Sequence, residues 1–508
     1  RTRIIDDLPE IEEEMIIGLN KRNPRVFDPY RLNISTGEME MLAENPGNIQ
    51  SWMTDHEGKL RVATAIVGGV NTTLLYRDNE DEEFETVLET NFKNELNPYF
   101  FTFDNKKLYA VSNLNRDKKA PVIFNPKTGE VEKVLYENDH YDVTGLSYSR
   151  ERKVLTSASY TSWKTQRHFF DEGTKKLYDR LKKDLGEYEI VVTDHDKPEK
   201  HFIVRTYSDR SLGAYYFYNK ETDELSKIAD VSPWLNEEDM AKVQPIEYKS
   251  RDGLTIEGYL TLPKGFTLEN AKDLPVVVNP HGGPWARDSW GFNPQVQFLA
   301  NRGYAVLQMN FRGSTGYGKE FWESSFKQWG LTMQDDITDG VKWLIDEGIA
   351  DPERVAIYGA SYGGYATFAG MTCTPSIYAA RGDYVGVSNL FTFMITIPPY
   401  CGPLVDMMHQ MVGHPKKDSA QLQKTSPVYH ADKIEAPLFI AQGANDPRVN
   451  KDESDQMIAA LKERGIDVKY MVKDNEGHGF RNQENQFDFY GEMEKFLAKH
   501  LKKESTKN

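Results

Sequence analysis

The chain has 508 residues, 39% hydrophobic and 12% aromatic, with 78 acidic side chains against 62 basic ones. That length exceeds one ordinary core and predicts two domains or three, and the apolar content excludes a disordered chain. A formal charge of −16 gives no bulk attraction to nucleic acid or anionic lipid. No apolar run approaches the roughly 20 residues that span a bilayer. The two cysteines, Cys373 and Cys401, support no disulfide framework and read as buried free thiols. Because the first residue is Arg1 rather than methionine, the sequence reads as having lost an upstream segment. A soluble protein is expected, with the compartment open between cytoplasm, periplasm and secretion, and the oligomeric state undetermined.

From residue 1 to about 245 the sequence is written in short alternating strands. Charged tips precede strands at Asp55–Leu60, Asp104–Leu108, Ser149–Val154 and Lys197–Phe202. They recur roughly every 46–48 residues, the range of four-stranded propeller blades. A second kind of turn alternates with them, at Asn33–Glu38, Asn125–Glu130 and Asn219–Glu224. This pattern predicts a β-propeller over 1–245 with about five blades, N-terminally truncated or shortened, the first blade incomplete. Residues 164–190 interrupt it with a charged, helical insertion, read as a solvated face. The acidic pairs Glu82-Glu83 and Glu237-Glu238 fall in turns and are expected to face solvent.

From 246 to 508 strands alternate with helices. Leu274–Asn279, Tyr304–Met309, Arg354–Tyr358 and Pro437–Ala441 are apolar strand runs, separated by helical patterns such as Asp336–Leu344 and Ser454–Arg464. Strands apolar throughout predict a doubly wound, mostly parallel sheet covered on both faces, the α/β-hydrolase class. Function in such sheets collects at the carboxyl ends of the strands.

Gly359-Ala360-Ser361-Tyr362-Gly363 stands at such an end, before a helical stretch rich in small residues. A Gly-x-Ser-x-Gly segment between strand and helix is a nucleophile elbow, and Ser361 is the candidate nucleophile. A serine hydroxyl needs a base to take its proton. His478, between two glycines in Glu476-Gly477-His478-Gly479, leads over His409, His414, His430 and His500. Asp446, in the loop after the Pro437–Ala441 strand, leads over Asp406, Asp452 and Asp474 as the acid that orients the ring. The oxyanion donors are expected to be the backbone N–H of Tyr362 and that of Gly283, in the loop His281-Gly282-Gly283-Pro284. No metal or other cofactor is expected.

These segments, with Asn310–Gly318 and Asn445-Asp446-Pro447-Arg448 between them, resemble the prolyl oligopeptidase family of serine peptidases, nearest to its acylaminoacyl-peptidase branch. The resemblance is close over 246–502 and architectural over the first half, where the family carries a propeller. It implies a triad of Ser361, Asp446 and His478, short peptides as substrates, and Arg448 as a holder of a substrate carbonyl. A carboxylesterase on the same fold, or a non-catalytic module working through its β half, are the alternatives. One departure is Arg381 in a buried strand, where Asp383 or Asp406 is expected to neutralise it.

Overall fold

A computed structural model describes residues 1–397, 404–434, 437–466 and 468–502. The described chain groups into two compact units: residues 1–172 with the short segment 404–407, and the remainder.

The first unit holds four antiparallel sheets, each a meander of strands consecutive in the chain. Thr2–Asp6 to Met39–Met41 make the first, Ile49–Thr54 to Glu85–Asn91 the second, and Leu96–Phe101 to Glu130–Val134 the third, each four-stranded. The fourth, Val143–Ser149, Val154–Thr161 and Thr165–Phe169, has three strands among the described residues. The first sheet is therefore complete, contrary to the sequence expectation, and the fourth is the short one. After Phe169 the charged segment folds as helix α1 (Glu172–Leu185). Its Leu181 and Leu185 bury against the next sheet, Glu189–His195 to Glu224–Asp230.

The recurrent turns have a common chemistry. In the second kind the leading asparagine accepts from backbone amides two or three residues on: Asn33 from Ser35 and Thr36, Asn125 from Lys127, Asn219 from Glu221 and Thr222. These are Asx turns. The fifth position is left-handed each time, at Gly37, Gly129 and Asp223. Each such turn joins the third strand of its sheet to the fourth, and each charged tip joins the first to the second. Apolar residues of the second and third sheets, among them Val62, Leu74, Phe101, Leu108 and Phe124, form one core.

The second unit is built on an eight-stranded mixed sheet: β1 (Val243–Lys249), β2 (Thr255–Thr261), β3 (Leu274–Val278), β4 (Ala305–Asn310), β5 (Ala350–Ala360), β6 (Ala380–Tyr384), β7 (Leu438–Gly443) and β8 (Lys469–Lys473). Its order is β1-β2-β4-β3-β5-β6-β7-β8, antiparallel through β4 and parallel from there on. Alternate residues feed opposite faces. Val276, Val278, Val355 and Ile357 meet α3 (Thr332–Asp346) and α4 (Tyr362–Cys373). Val277, Val306, Ala356 and Tyr358 meet α2 (Pro294–Asn301) and α6 (Gln483–Leu501). Both faces are thus apolar and both are covered, which is why the strands read as continuous hydrophobic runs.

Within this unit Gln297 of α2 ties the sheet after α1 to the mixed sheet. Its side chain donates to the carbonyls of Asp209 (2.9 Å) and Ala241 (2.8 Å) and accepts from the Ala241 amide. Cys373, expected buried, is exposed, because it ends α4 beyond the packed stretch Tyr362–Thr372. Cys401 lies outside the described residues. Arg381 is buried, as expected, but its guanidinium donates to the Pro375 carbonyl. Asp383 turns instead toward the glycines beside the elbow: a Cβ at Gly364 would stand 2.3 Å from its Oδ1. Burial holds the Asp383 carboxyl well above the ordinary carboxylate range. No helix among the described residues is long and apolar enough to cross a membrane.

Candidate active site

Ser361 stands between the end of β5 and the start of α4 with φ +59° and ψ −115°, a backbone conformation that side chains other than glycine rarely adopt. The turn closes because its neighbours lack side chains. A Cβ on Gly359 would come within 2.5 Å of the Gly363 backbone, and one on Gly363 within 2.2 Å of the Pro280 carbonyl. The Ser361 amide donates to the Tyr384 carbonyl (2.9 Å), which fixes the elbow to the end of β6. Ser361 is only partly buried, whereas Tyr362 beside it is sealed among Phe311, Trp329 and Tyr365.

Tyr362 is the first residue of α4, so its N–H has no acceptor within the helix. The loop after β3 lies against this turn. A Cβ on Gly282 would sit 3.1 Å from the Ala360 carbonyl and 3.5 Å from the Ser361 Cβ. Gly283 has φ +127°, a conformation open to glycine, and is exposed. His281 stacks on Phe311 with ring centroids 4.3 Å apart. Burial lowers the pKa of His281 to about 4, so the ring is neutral. Its Nδ1 lies 2.8 Å from the Gly282 carbonyl, and its Nε2 lies 2.9 Å from the Ser314 hydroxyl, which donates to the Phe311 carbonyl (2.7 Å).

Asp446 follows β7, and its carboxylate is buried. Oδ1 accepts from the amides of Arg448 (2.8 Å) and Val449 (3.0 Å). Oδ2 faces His478 Nδ1 at 2.7 Å. A carboxylate can only accept, so Nδ1 bears the hydrogen, and Nε2 is the ring nitrogen that accepts in an uncharged imidazole. Gln442 sends its Nε2 toward the same Oδ2 (3.5 Å) and to the Val449 carbonyl (3.2 Å). The structure thus brings Asp446 and His478 into direct contact, and sets Ser361, Tyr362 and the Gly282–Gly283 loop side by side. Arg448 is exposed, and its backbone rather than its guanidinium contacts Asp446. Of the competing residues, Asp452 begins α5 (Asp452–Lys462), His414 accepts from the amides of Lys416 and Lys417, and His430 contacts the Lys424 carbonyl.

Tyr384 carries no sequence motif, yet it touches both sides of the site: its carbonyl holds the elbow and its hydroxyl accepts from the Phe480 amide in the histidine loop. Its pairing with Ala360 across β5 and β6 is what puts it there, and that pairing is not local in sequence.

Residues 290–504 match the model of the prolyl oligopeptidase family. A curated relative, dipeptidyl aminopeptidase BIII of Pseudoxanthomonas mexicana, is 34% identical over 506 residues, covering 97% of this chain and 72% of the relative. The chain belongs to the prolyl oligopeptidase family. As a member it is a serine peptidase acting on peptides. The acylamino-acid-releasing enzyme of Arabidopsis thaliana is 29% identical over 238 residues, 46% of this chain and 31% of that enzyme. Among solved structures, a puromycin hydrolase superposes with a TM-score of 0.76 at 18% identity, over 98% of this chain and 78% of the other. The family assignment agrees with the resemblance drawn from the motifs. The likeness to dipeptidyl aminopeptidase BIII runs over 97% of the chain, whereas the acylamino-acid-releasing enzyme aligns with less than half of it.

Proposed function

We propose that this prolyl oligopeptidase family member hydrolyses short peptides through an acyl-enzyme formed on Ser361. In this reading His478 Nε2 takes the Ser361 proton as the hydroxyl attacks the scissile carbonyl, then returns it to the leaving amine. Asp446 holds the Nδ1–H tautomer and stabilises the imidazolium. The amides of Tyr362 and Gly283 receive the oxyanion. Water then attacks the ester with His478 again as base, and the second product leaves with Ser361 restored. Arg448, exposed beside Asp446, grips a substrate backbone carbonyl.

The observation that carries the reading is the 2.7 Å contact between Asp446 and the His478 ring, which leaves Nε2 as the basic nitrogen. Residues 1–245 are read as blades of a β-propeller and 246–508 as the α/β-hydrolase domain. Five consecutive meander sheets with equivalent turns support that reading. The test is labelling by a fluorophosphonate together with hydrolysis of peptide anilides. Wild type should do both and Ser361→Ala neither; an unlabelled but active wild type would refute the mechanism.

The dipeptidyl aminopeptidase likeness favours a second reading of the cleavage mode, release of dipeptides from a free amino terminus. Digestion of a peptide library separates it from internal cleavage: dipeptide products dependent on an unblocked terminus support it, and equal cleavage of acetylated peptides excludes it.

A further inference from the structure

Glu476 has a place in the motif around His478 but no role in the chemistry above. It is 3% exposed. Its Oε2 accepts from the Arg481 amide (2.8 Å), and its Oε1 from the Asn482 amide (2.9 Å), Asn482 Nδ2 (2.9 Å) and Asn485 Nδ2 (2.7 Å). Four donors on one carboxylate nearly saturate it. All four belong to residues 481–485, beyond His478, so the side chain closes the loop that carries the imidazole. The main chain of Glu476 fixes the other end: its carbonyl accepts from the amide of Asn445 (2.9 Å), the neighbour of Asp446, and its amide donates to the Lys473 carbonyl (3.2 Å). Desolvation pushes the carboxyl upward, but the bonds from Arg481, Asn485 and Asn482 outweigh it and bring the pKa down to about 2. The carboxylate therefore stays charged, and it lies near the start of α6, where negative charge is favoured.

We infer that Glu476 is a positioning residue for peptide hydrolysis, clamping the loop on both sides of His478 and so setting where the ring stands relative to Ser361. The inference rests on the assignment of His478 as the base. Its logic is entropic: a base displaced by about 1 Å costs on the order of a hundred-fold in rate without weakening substrate binding. In Glu476→Gln the amide can still accept at one oxygen, but its NH2 must confront an amide donor. Glu476→Ala removes every contact.

The experiment measures kcat and KM on a peptide anilide for both full-length variants, per active site titrated with fluorophosphonate, well below each thermal transition. The expected result is a kcat lower by about ten-fold in Glu476→Gln and about a hundred-fold in Glu476→Ala, with KM within two-fold of wild type. Wild-type kcat per titrated site, even with a lowered melting temperature, would overturn the inference and leave Glu476 a structural residue. So would a loss confined to KM. If Glu476→Ala does not fold, Glu476→Gln decides alone. Ser361→Ala runs beside them: if it keeps activity the catalytic assignment itself fails, whereas inactive Ser361→Ala beside fully active Glu476 variants rejects only the clamp.

Discussion

In the five antiparallel sheets every strand pairs with the next one along the chain, whereas in the mixed sheet β3 lies between β4 and β5 and parallel neighbours are joined by helical crossovers. The first arrangement needs only local turns, and the same Asx chemistry is reused at Asn33, Asn125 and Asn219. The second brings loops from distant parts of the sequence to one edge. Gly283, Ser361, Asp446 and His478 span nearly 200 residues of sequence, and each follows a different strand of this sheet. A meander repeats a structure; a crossover sheet assembles a site.

That contrast can be broken most directly at the site. Ser361→Ala or His478→Ala should each lower kcat by about a million-fold while leaving the melting temperature near wild type, because such groups act as a unit. Retention of even a hundredth of the rate would contradict it.

Glycine substitutions test the packing side of the comparison. Gly363→Ala forces a Cβ to 2.2 Å from the Pro280 carbonyl and should cost about 3 kcal/mol in denaturant titration, with loss of activity. Gly37→Ala, with φ +76° but no atom within 4 Å, should cost only about 1 kcal/mol and leave kcat unchanged.

One part of the pH dependence of stability should belong to the site. Glu476 has its folded pKa lowered from 4.5 to about 2. Its stabilisation is therefore complete above the unfolded value and lost as pH falls through the folded one. The stability gap between wild type and Glu476→Gln should accordingly narrow between about pH 5 and pH 2 in chemical denaturation. A gap that stays constant over that range would show that the charge is not what stabilises the loop.

For Arg448→Ala the expected effect is about ten-fold in kcat/KM on a peptide, with a small ester unaffected. Equal losses on both substrates would remove its role at the peptide backbone. The smallest change belongs to the repeat: Asn33→Ala frees the exposed amides of Ser35 and Thr36 and should cost at most about 1 kcal/mol, without effect on turnover.

Much of this protein was legible because its signals are local. The two classes of turn, the elbow and the doubly apolar strands are written in adjacent residues, and the elbow can close only with glycine at 359 and 363. The misreadings arose where a neighbour in space decided. The short fourth sheet is followed by α1, which has its own apolar side to bury, and Cys373 is exposed because α4 ends there. The Arg381 guanidinium donates to the Pro375 carbonyl, and the Asp383 carboxyl sits in the gap left by Gly364.

The sequence by itself determined the chemistry on offer: a strained serine, a histidine between two glycines, an acid after a strand and a glycine loop. Tertiary structure alone decided how they are held. The pairing of Ala360 with Tyr384 and the seat of Asp446 against His478 depend on strand order and register. A chain can encode a side chain's reactivity locally, but distances between loops are set by the sheet that carries them.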